Sequence, residues 1–202
     1  ATVAALHQAP RSVIENADVQ QLMADASLLA LAQSYLGCGP VLDVMTMWWH
    51  TKHSEHPDKI AAQFYHFDMD RLKWLKIFIY LTDVGPQSGP HYFIAGSHRS
   101  GGIPGALRNK GYVRLTDQEV ANCYSPDSFI EFTGSRGTII AEDTRGLHKG
   151  QHVQHGDRLM LQLQYSNSLF GGTYPPKRIR HMANADLGRM ASLYRRLYSA
   201  YR

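Results

Sequence analysis

The sequence predicts a mainly β chain folded as a jelly roll of two facing sheets, with flanking helices at its ends. Three observations predict it. Short runs rich in β-branched and aromatic residues are separated by Gly/Pro turns, long helical patterns stand at the two ends, and both faces of the central run 73–84 carry apolar residues. A strand apolar on both faces belongs inside a two-sheet fold.

Taken in order, Asp18 precedes Val19, Leu22, Met23, Ala26, Leu29, Ala30 and Leu36, which recur at helical spacing. Asp18 with Gln21 has the form of a capping box, and Gly37, Gly39 and Pro40 stop the pattern, so one helix is expected over about 18–36. Residues 41–50 read as a strand, and 50–57 as a loop. His50, His53 and His56 would share a face on a helix, but Pro57 and the polar composition argue against a second metal site there. Residues 61–68 and 73–84 read as two further strands. In the second, Trp74, Lys76, Phe78 and Tyr80 share one face, and Leu75, Ile77, Ile79 and Leu81 the other. The run 85–90 is a turn, 91–95 a short strand and 96–105 a loop. Residues 106–136 look irregular, with a short helix near 116–122, and strands return at 137–142 and 158–166. Leu187, Met190, Leu193, Tyr194, Leu197, Tyr198 and Tyr201 form a helical stripe over about 184–201, expected to cover the outer sheet. No repeat or linker is found, so 1–202 is expected to be a single domain with its jelly-roll core at about 41–168.

The length of 202 residues and 44% hydrophobic content support one domain with a substantial core. Cys38 and Cys123 form neither a metal spacing nor a disulfide framework, so nothing argues for an oxidising compartment. No apolar run reaches the length of a membrane span and no signal-peptide pattern is present, so no membrane partner and a cytoplasmic location are expected. The opening Ala-Thr-Val lacks Met, which suggests a trimmed terminus. The net charge of +4 is unevenly placed, with Lys177, Arg178, Arg180, Arg189, Arg195, Arg196 and Arg202 crowding the last stretch. No nucleic-acid motif accompanies them, so they read as a solvated helix face.

The chemistry lies elsewhere. His66 and Asp68 stand one residue apart in Phe-Tyr-His-Phe-Asp-Met-Asp (64–70), a spacing that puts both side chains on one face of a strand. His148, in a Gly-Leu-His-Lys-Gly context, supplies a third ligand and leaves the far side of an ion open. Two His and one carboxylate with free positions is the ligand set of non-haem Fe(II) oxygenases. Arg158 is a permanently charged fork suited to a carboxylate. 2-Oxoglutarate, with a carboxylate and a metal-chelating 2-oxo acid, would use both features. The competing readings are a core His bonded to a neighbouring carboxylate, and an Arg paired with an internal Asp or Glu.

These residues lie in a stretch that resembles the phytanoyl-CoA dioxygenase (PhyH-like) family of Fe(II)/2-oxoglutarate oxygenases. The resemblance rests on Tyr-His-Phe-Asp (65–68), Lys-Ile-Phe-Ile-Tyr-Leu-Thr-Asp-Val (76–84), Ser-Gly-Pro-His-Tyr-Phe-Ile-Ala-Gly-Ser-His (88–98), and the run from Gly137 through His148 to Arg158. It covers roughly half the chain, from about residue 60 to 168. It implies a double-stranded β-helix, or cupin-like barrel, with His66, Asp68 and His148 as iron ligands and Arg158 as anchor for the distal carboxylate of 2-oxoglutarate. Fe(II), 2-oxoglutarate and O2 are then the cofactors and cosubstrates. The implied reaction is hydroxylation of an unactivated C–H in a small molecule or carrier-bound metabolite, with release of succinate and CO2. Related halogenases lack the carboxylate so that chloride can take its place; Asp68 fills that place, so halogenation is not expected.

Lys76 is a candidate for cosubstrate or acidic-substrate binding, with snorkelling to the rim as the alternative. Tyr80, Thr144 and Gln162, the last on the parity of Arg158, are further cosubstrate candidates, although ordinary structural bonding also explains Tyr80 and Thr144. Asp70 is expected past the strand end, facing water or a neighbour of the ligands. His91 and His98 read as loop and packing residues that approach substrate, and His152 and His155 as bystanders to His148. Two rival classes remain, a redox-neutral cupin-like metalloenzyme and a non-catalytic jelly-roll binding module. Residues 99–136 and the loop 50–60 are expected to shape the pocket.

Overall fold

A computed structural model of the chain describes residues 11–52, 57, 62–170 and 175–201; His53 and His56 lie outside them. The N-terminal helical pattern is interrupted where the sequence suggested continuity. After α1 (Arg11–Ile14), Asn16 caps α2 (Ala17–Met23) by accepting from the Asp18 and Val19 N–H groups. Asp25 then caps α3 (Ala26–Leu36) by accepting from Ser27 and Leu28. The single helix expected over 18–36 is therefore two, and the cap is Asn16 rather than Asp18. A short acidic side chain that bonds its own downstream N–H groups starts a new helix instead of continuing the old one. Gly37, at φ 73°, closes α3 in a conformation that a Cβ would strain.

The strands are β1 (Val41–Thr51), β2 (Trp74–Tyr80), β3 (His91–Ile94), β4 (Phe129–Phe132), β5 (Ile139–Glu142), β6 (His148–Gly150) and β7 (Asp157–Ser166). One sheet has the order β1-β7-β2-β5, and the other the order β4-β3-β6. In the smaller sheet β3 runs antiparallel to both neighbours, with His91 opposite Phe132 and Gly150. Every residue of β2 is buried, as its two apolar faces require. The short helices α4 (Gly105–Arg108) and α5 (Asp117–Ala121) precede β4 in the stretch expected to be irregular; α5 starts with a capping box of Thr116 and Glu119.

Two other expectations change. The segment expected as a strand at 61–68 contains single bridges at Tyr65 and His66, because it meets Leu115 on one side and His148 on the other for one residue each. The C-terminal helix α6 (Ala185–Leu193) stops well short of residue 201. At Tyr194 the backbone leaves helical geometry (φ −118°, ψ 61°), and beyond it the Leu197 and Ala200 carbonyls accept from Leu42 and Lys177. Leu193 and Tyr194, counted in the apolar stripe, are 68% and 53% exposed, whereas Leu197, Tyr198 and Tyr201 are buried.

The chain divides into two compact units. One comprises the described residues of 48–69 and 79–160; its core includes Tyr65, Ile94, Leu107, Leu115, Val120 and Leu147. The other comprises 11–47, 70–78 and 161–201, where Arg71 grips the buried Asp43 carboxylate with two bonds of 2.6 Å. No helix among the described residues is long and apolar enough to cross a membrane.

Candidate metal centre

His66 and His148 face each other because their backbones do. His66 N–H donates to the His148 carbonyl at 3.0 Å, and His148 N–H returns the bond at 2.9 Å. The two ring centroids are 4.2 Å apart. Asp68, two residues on, presents its side chain on the same face, and its N–H donates to the Thr144 carbonyl at 2.8 Å. One ligand atom from each of His66, Asp68 and His148 falls within 4.8 Å of the others. Asp68 reaches both rings, Oδ1 lying 3.8 Å from His66 Nε2 and Oδ2 3.6 Å from His148 Nε2, with 11% of its side chain exposed.

Both imidazoles are oriented by carbonyls, which accept and never donate. Nδ1–H of His66 donates to Phe64 O at 2.9 Å, and Nδ1–H of His148 to Gly146 O at 3.0 Å. The proton is thereby fixed on Nδ1 and the Nε2 lone pair is turned toward Asp68. Burial is the main force holding both histidines below their ordinary pKa; for His66 the next is His148, with Asp68 pulling the other way. Neutral imidazole is the form that binds metal. Two such nitrogens and one carboxylate suit Fe(II), and bind other first-row divalent ions with little selectivity.

The segment carrying His148 is clamped from the Gly-Ser-His block (96–98). Ser97 Oγ accepts from Leu147 N–H at 2.8 Å and donates to the Ile94 carbonyl at 2.7 Å. Gly146 must lack a Cβ, which would stand 2.6 Å from Ser97 Oγ and 2.7 Å from the Phe93 ring. His91 is a packing residue of a strand rather than of a loop. It opens β3, is buried, and pairs its Nε2 with Glu142 Oε2 at 2.8 Å. Glu142 Oε1 in turn lies 4.0 Å from His148 Nδ1. Sequence reasoning missed Glu142; the available signal was a carboxylate at the end of an apolar strand.

Arg158 is 1% exposed. Its Nη1 donates to the Gly89 carbonyl and its Nη2 meets His50 Nδ1 at 3.3 Å, while the buried Nε has no partner among the described residues. Burial lowers its pKa to about 10, which leaves it charged at neutral pH. No carboxylate pairs with it among the described residues. Two glycines make its seat. Gly89 adopts φ 73°, and a Cβ on Gly150 would stand 2.8 Å from Arg158 Nη2. Gly150 lies two residues along β6 from His148.

The remaining candidates divide. Tyr80 is buried beside Arg158, but its hydroxyl donates to Phe132 O at 2.8 Å and accepts from His91 N–H at 3.1 Å. Thr144 is buried and lends its carbonyl to Asp68. Lys76 and Gln162 belong to the second unit, where Lys76 pairs with Asp70 at 3.2 Å and Gln162 is buried on β7. His152 contacts Gln63 at 3.1 Å, and His155 is exposed.

No family model matches the chain, and no curated protein sequence matches it. Solved structures do. HygX from Streptomyces hygroscopicus, with nickel and 2-oxoglutarate bound, superposes at a TM-score of 0.56 and 18% identity, over 90% of this chain and 77% of that one. EctD from S. alaskensis with bound Fe gives 0.55 and 21% over 81% and 55% of the two chains. AviO1 from Streptomyces viridochromogenes Tue57 gives 0.51 and 17% over 81% and 67%. The fold is a double-stranded β-helix. The chain spans 55% to 77% of the length of these three solved chains.

Proposed function

We propose that the chain is a PhyH-like, Fe(II)- and 2-oxoglutarate-dependent dioxygenase that hydroxylates an unactivated C–H of a small molecule or carrier-bound metabolite. The observation that carries this reading is the pairing of a His-Asp-His cluster with a buried guanidinium at Arg158 that meets no carboxylate among the described residues. An uncompensated buried charge costs several kcal/mol, and a dicarboxylate cosubstrate removes that cost. A redox-neutral metalloenzyme of this fold has no use for Arg158, and a binding module has none for tautomer-fixed neutral histidines. The nickel and 2-oxoglutarate in HygX, and the 2-oxoglutarate with 5-hydroxyectoine in EctD, support the same reading by analogy of fold.

In this reading His66 and His148 hold iron through Nε2 and Asp68 through its carboxylate, and Arg158 binds the 5-carboxylate of 2-oxoglutarate. Bound iron, with 2-oxoglutarate and O2, supplies the oxidation of the C–H, and succinate and CO2 leave as co-products. The protein does the rest. Phe64 and Gly146 carbonyls keep each imidazole in the ligating tautomer; Gly89 and His50 hold the Arg158 fork. Asp68 occupies the ligand position that a halide would need, which directs the outcome to a hydroxyl.

The test is succinate release coupled to O2 uptake, with Fe(II) and 2-oxoglutarate, across a panel of candidate substrates. His148→Ala should abolish it while circular dichroism still reports a folded chain. Absence of 2-oxoglutarate binding to the Mn(II)-loaded protein by calorimetry would overturn the reading.

A further inference from the structure

Tyr65 and Leu115 exchange backbone hydrogen bonds of 3.0 and 2.8 Å in an antiparallel bridge. Both side chains enter the same apolar cluster. In antiparallel register the next pair is His66 with Arg114, and alternation sends their side chains to the opposite face. That is the face on which His66 meets Asp68 and His148. His66 is thus flanked by His148 on one side and by Arg114 on the other.

Arg114 has no evident structural task. Its Nη1 is buried without a hydrogen-bond partner, and it enters no ion pair among the described residues. Its charge reaches the His66 ring, where it opposes protonation. Arg158 lies against Gly150, on the β6 flank of His66. The two guanidinium groups therefore stand on different sides of the ligands, and the one at Arg158 is already committed to the cosubstrate. Phe67 packs against the Tyr65 cluster on the other face, so on the His66 face the guanidinium itself is what meets a ligand. A partly buried fork of this kind suits a carboxylate or phosphate, which it can grip with two bonds.

We propose that Arg114 is a specificity-determining residue that binds a carboxylate or phosphate of the substrate and so fixes which C–H faces the metal. This rests on the oxygenase reading above and names its substrate class. The test uses full-length protein saturated with Mn(II) and 2-oxoglutarate. It is titrated calorimetrically with aryl and alkyl carboxylates, with the matching phosphate monoesters, and with their methyl esters and alcohols. Anions should bind and their uncharged counterparts should not; the series that binds tells carboxylate from phosphate. Arg114→Met should weaken anion binding about tenfold or more, and Arg114→Lys should recover part of it, since a point charge does not reproduce the fork. Circular dichroism of both variants guards against misfolding. Equal binding of charged and uncharged partners, no anion binding, or binding indifferent to Arg114→Met in a folded variant overturns the proposal. A loss in Arg114→Met of 2-oxoglutarate affinity matching that of the anion would assign Arg114 to the cosubstrate instead. If 2-oxoglutarate itself fails to bind, the oxygenase reading falls separately, and the anion titration is repeated on the metal-free protein.

Discussion

Gly150→Ala isolates the Arg158 anchor without touching a ligand or a charge. The added Cβ would stand 2.8 Å from Nη2, 3.6 Å from Nη1 and 3.7 Å from Cζ of Arg158. Gly150 does not have a positive φ, so alanine fits its backbone and the whole clash falls on the guanidinium. Arg158 is 1% exposed and held by Gly89 and His50, so it cannot swing away freely. A displacement of a few tenths of an ångström spoils one of the two parallel bonds of a bidentate carboxylate grip. A hydrogen bond to a charged group is worth about 1.5–3 kcal/mol, or roughly a tenfold to hundredfold loss in 2-oxoglutarate affinity. Arg158→Ala, which removes the fork, should cost about 2–5 kcal/mol. The double variant should be no worse than Arg158→Ala, because the new methyl then has nothing to displace. Titration of 2-oxoglutarate into Mn(II)-loaded protein reads all three. Unaltered affinity in Gly150→Ala, or additive losses in the double variant, would refute the assignment of Arg158.

Three further outcomes follow from the same geometry. Ser97→Ala leaves the Leu147 N–H without its acceptor and should cost about 1–3 kcal/mol in urea unfolding; full retention of stability would mean that the clamp on the His148 segment is not energetic. The metal-free protein should lose stability as pH falls below about 6.5, where unfolded histidines take protons that the buried His66 and His148 refuse, and the loss should continue until the folded imidazoles also protonate. A melting temperature that rises toward about pH 5 would exclude neutral ligands. Turnover should be indifferent to chloride and bromide, with a hydroxylated main product by mass; a halogenated main product would contradict Asp68 as a ligand.

The sequence disclosed what residue type and spacing alone determine. The His-x-Asp unit, a distant glycine-flanked His and an Arg in an apolar strand are informative because few structural tasks need them, and the structure brings the residues of the first two together. The two-faced β2 was legible because both of its faces carry apolar residues, with Lys76 the one charged side chain among them. Asp25 shows the opposite case: apolar periodicity runs unbroken across α2 and α3, and only its capping bonds divide them. β4 escaped because four residues, with Ile130 and Glu131 exposed, carry too short an alternation to register.

What stayed hidden at the site has a common cause, pairing across long sequence separations. Glu142 meets His91 from 51 residues away, and Arg114 is set beside His66 by a bridge that neither flanking sequence announces. His66 meets His148 on a single-residue bridge rather than in a regular ladder. The exchange of bonds between His66 and His148 fixes their facing rings, and the chain then departs, so that Asp68 can bond to Thr144. A continuous ladder would pair Asp68 with Gly146, whose carbonyl instead orients the His148 ring. Irregularity of the 62–69 segment is thus part of the site, and its glycines carry the same logic. Gly146 yields space to Ser97, and Gly150 to Arg158. In each case the missing Cβ is where a functional side chain, or its clamp, must stand.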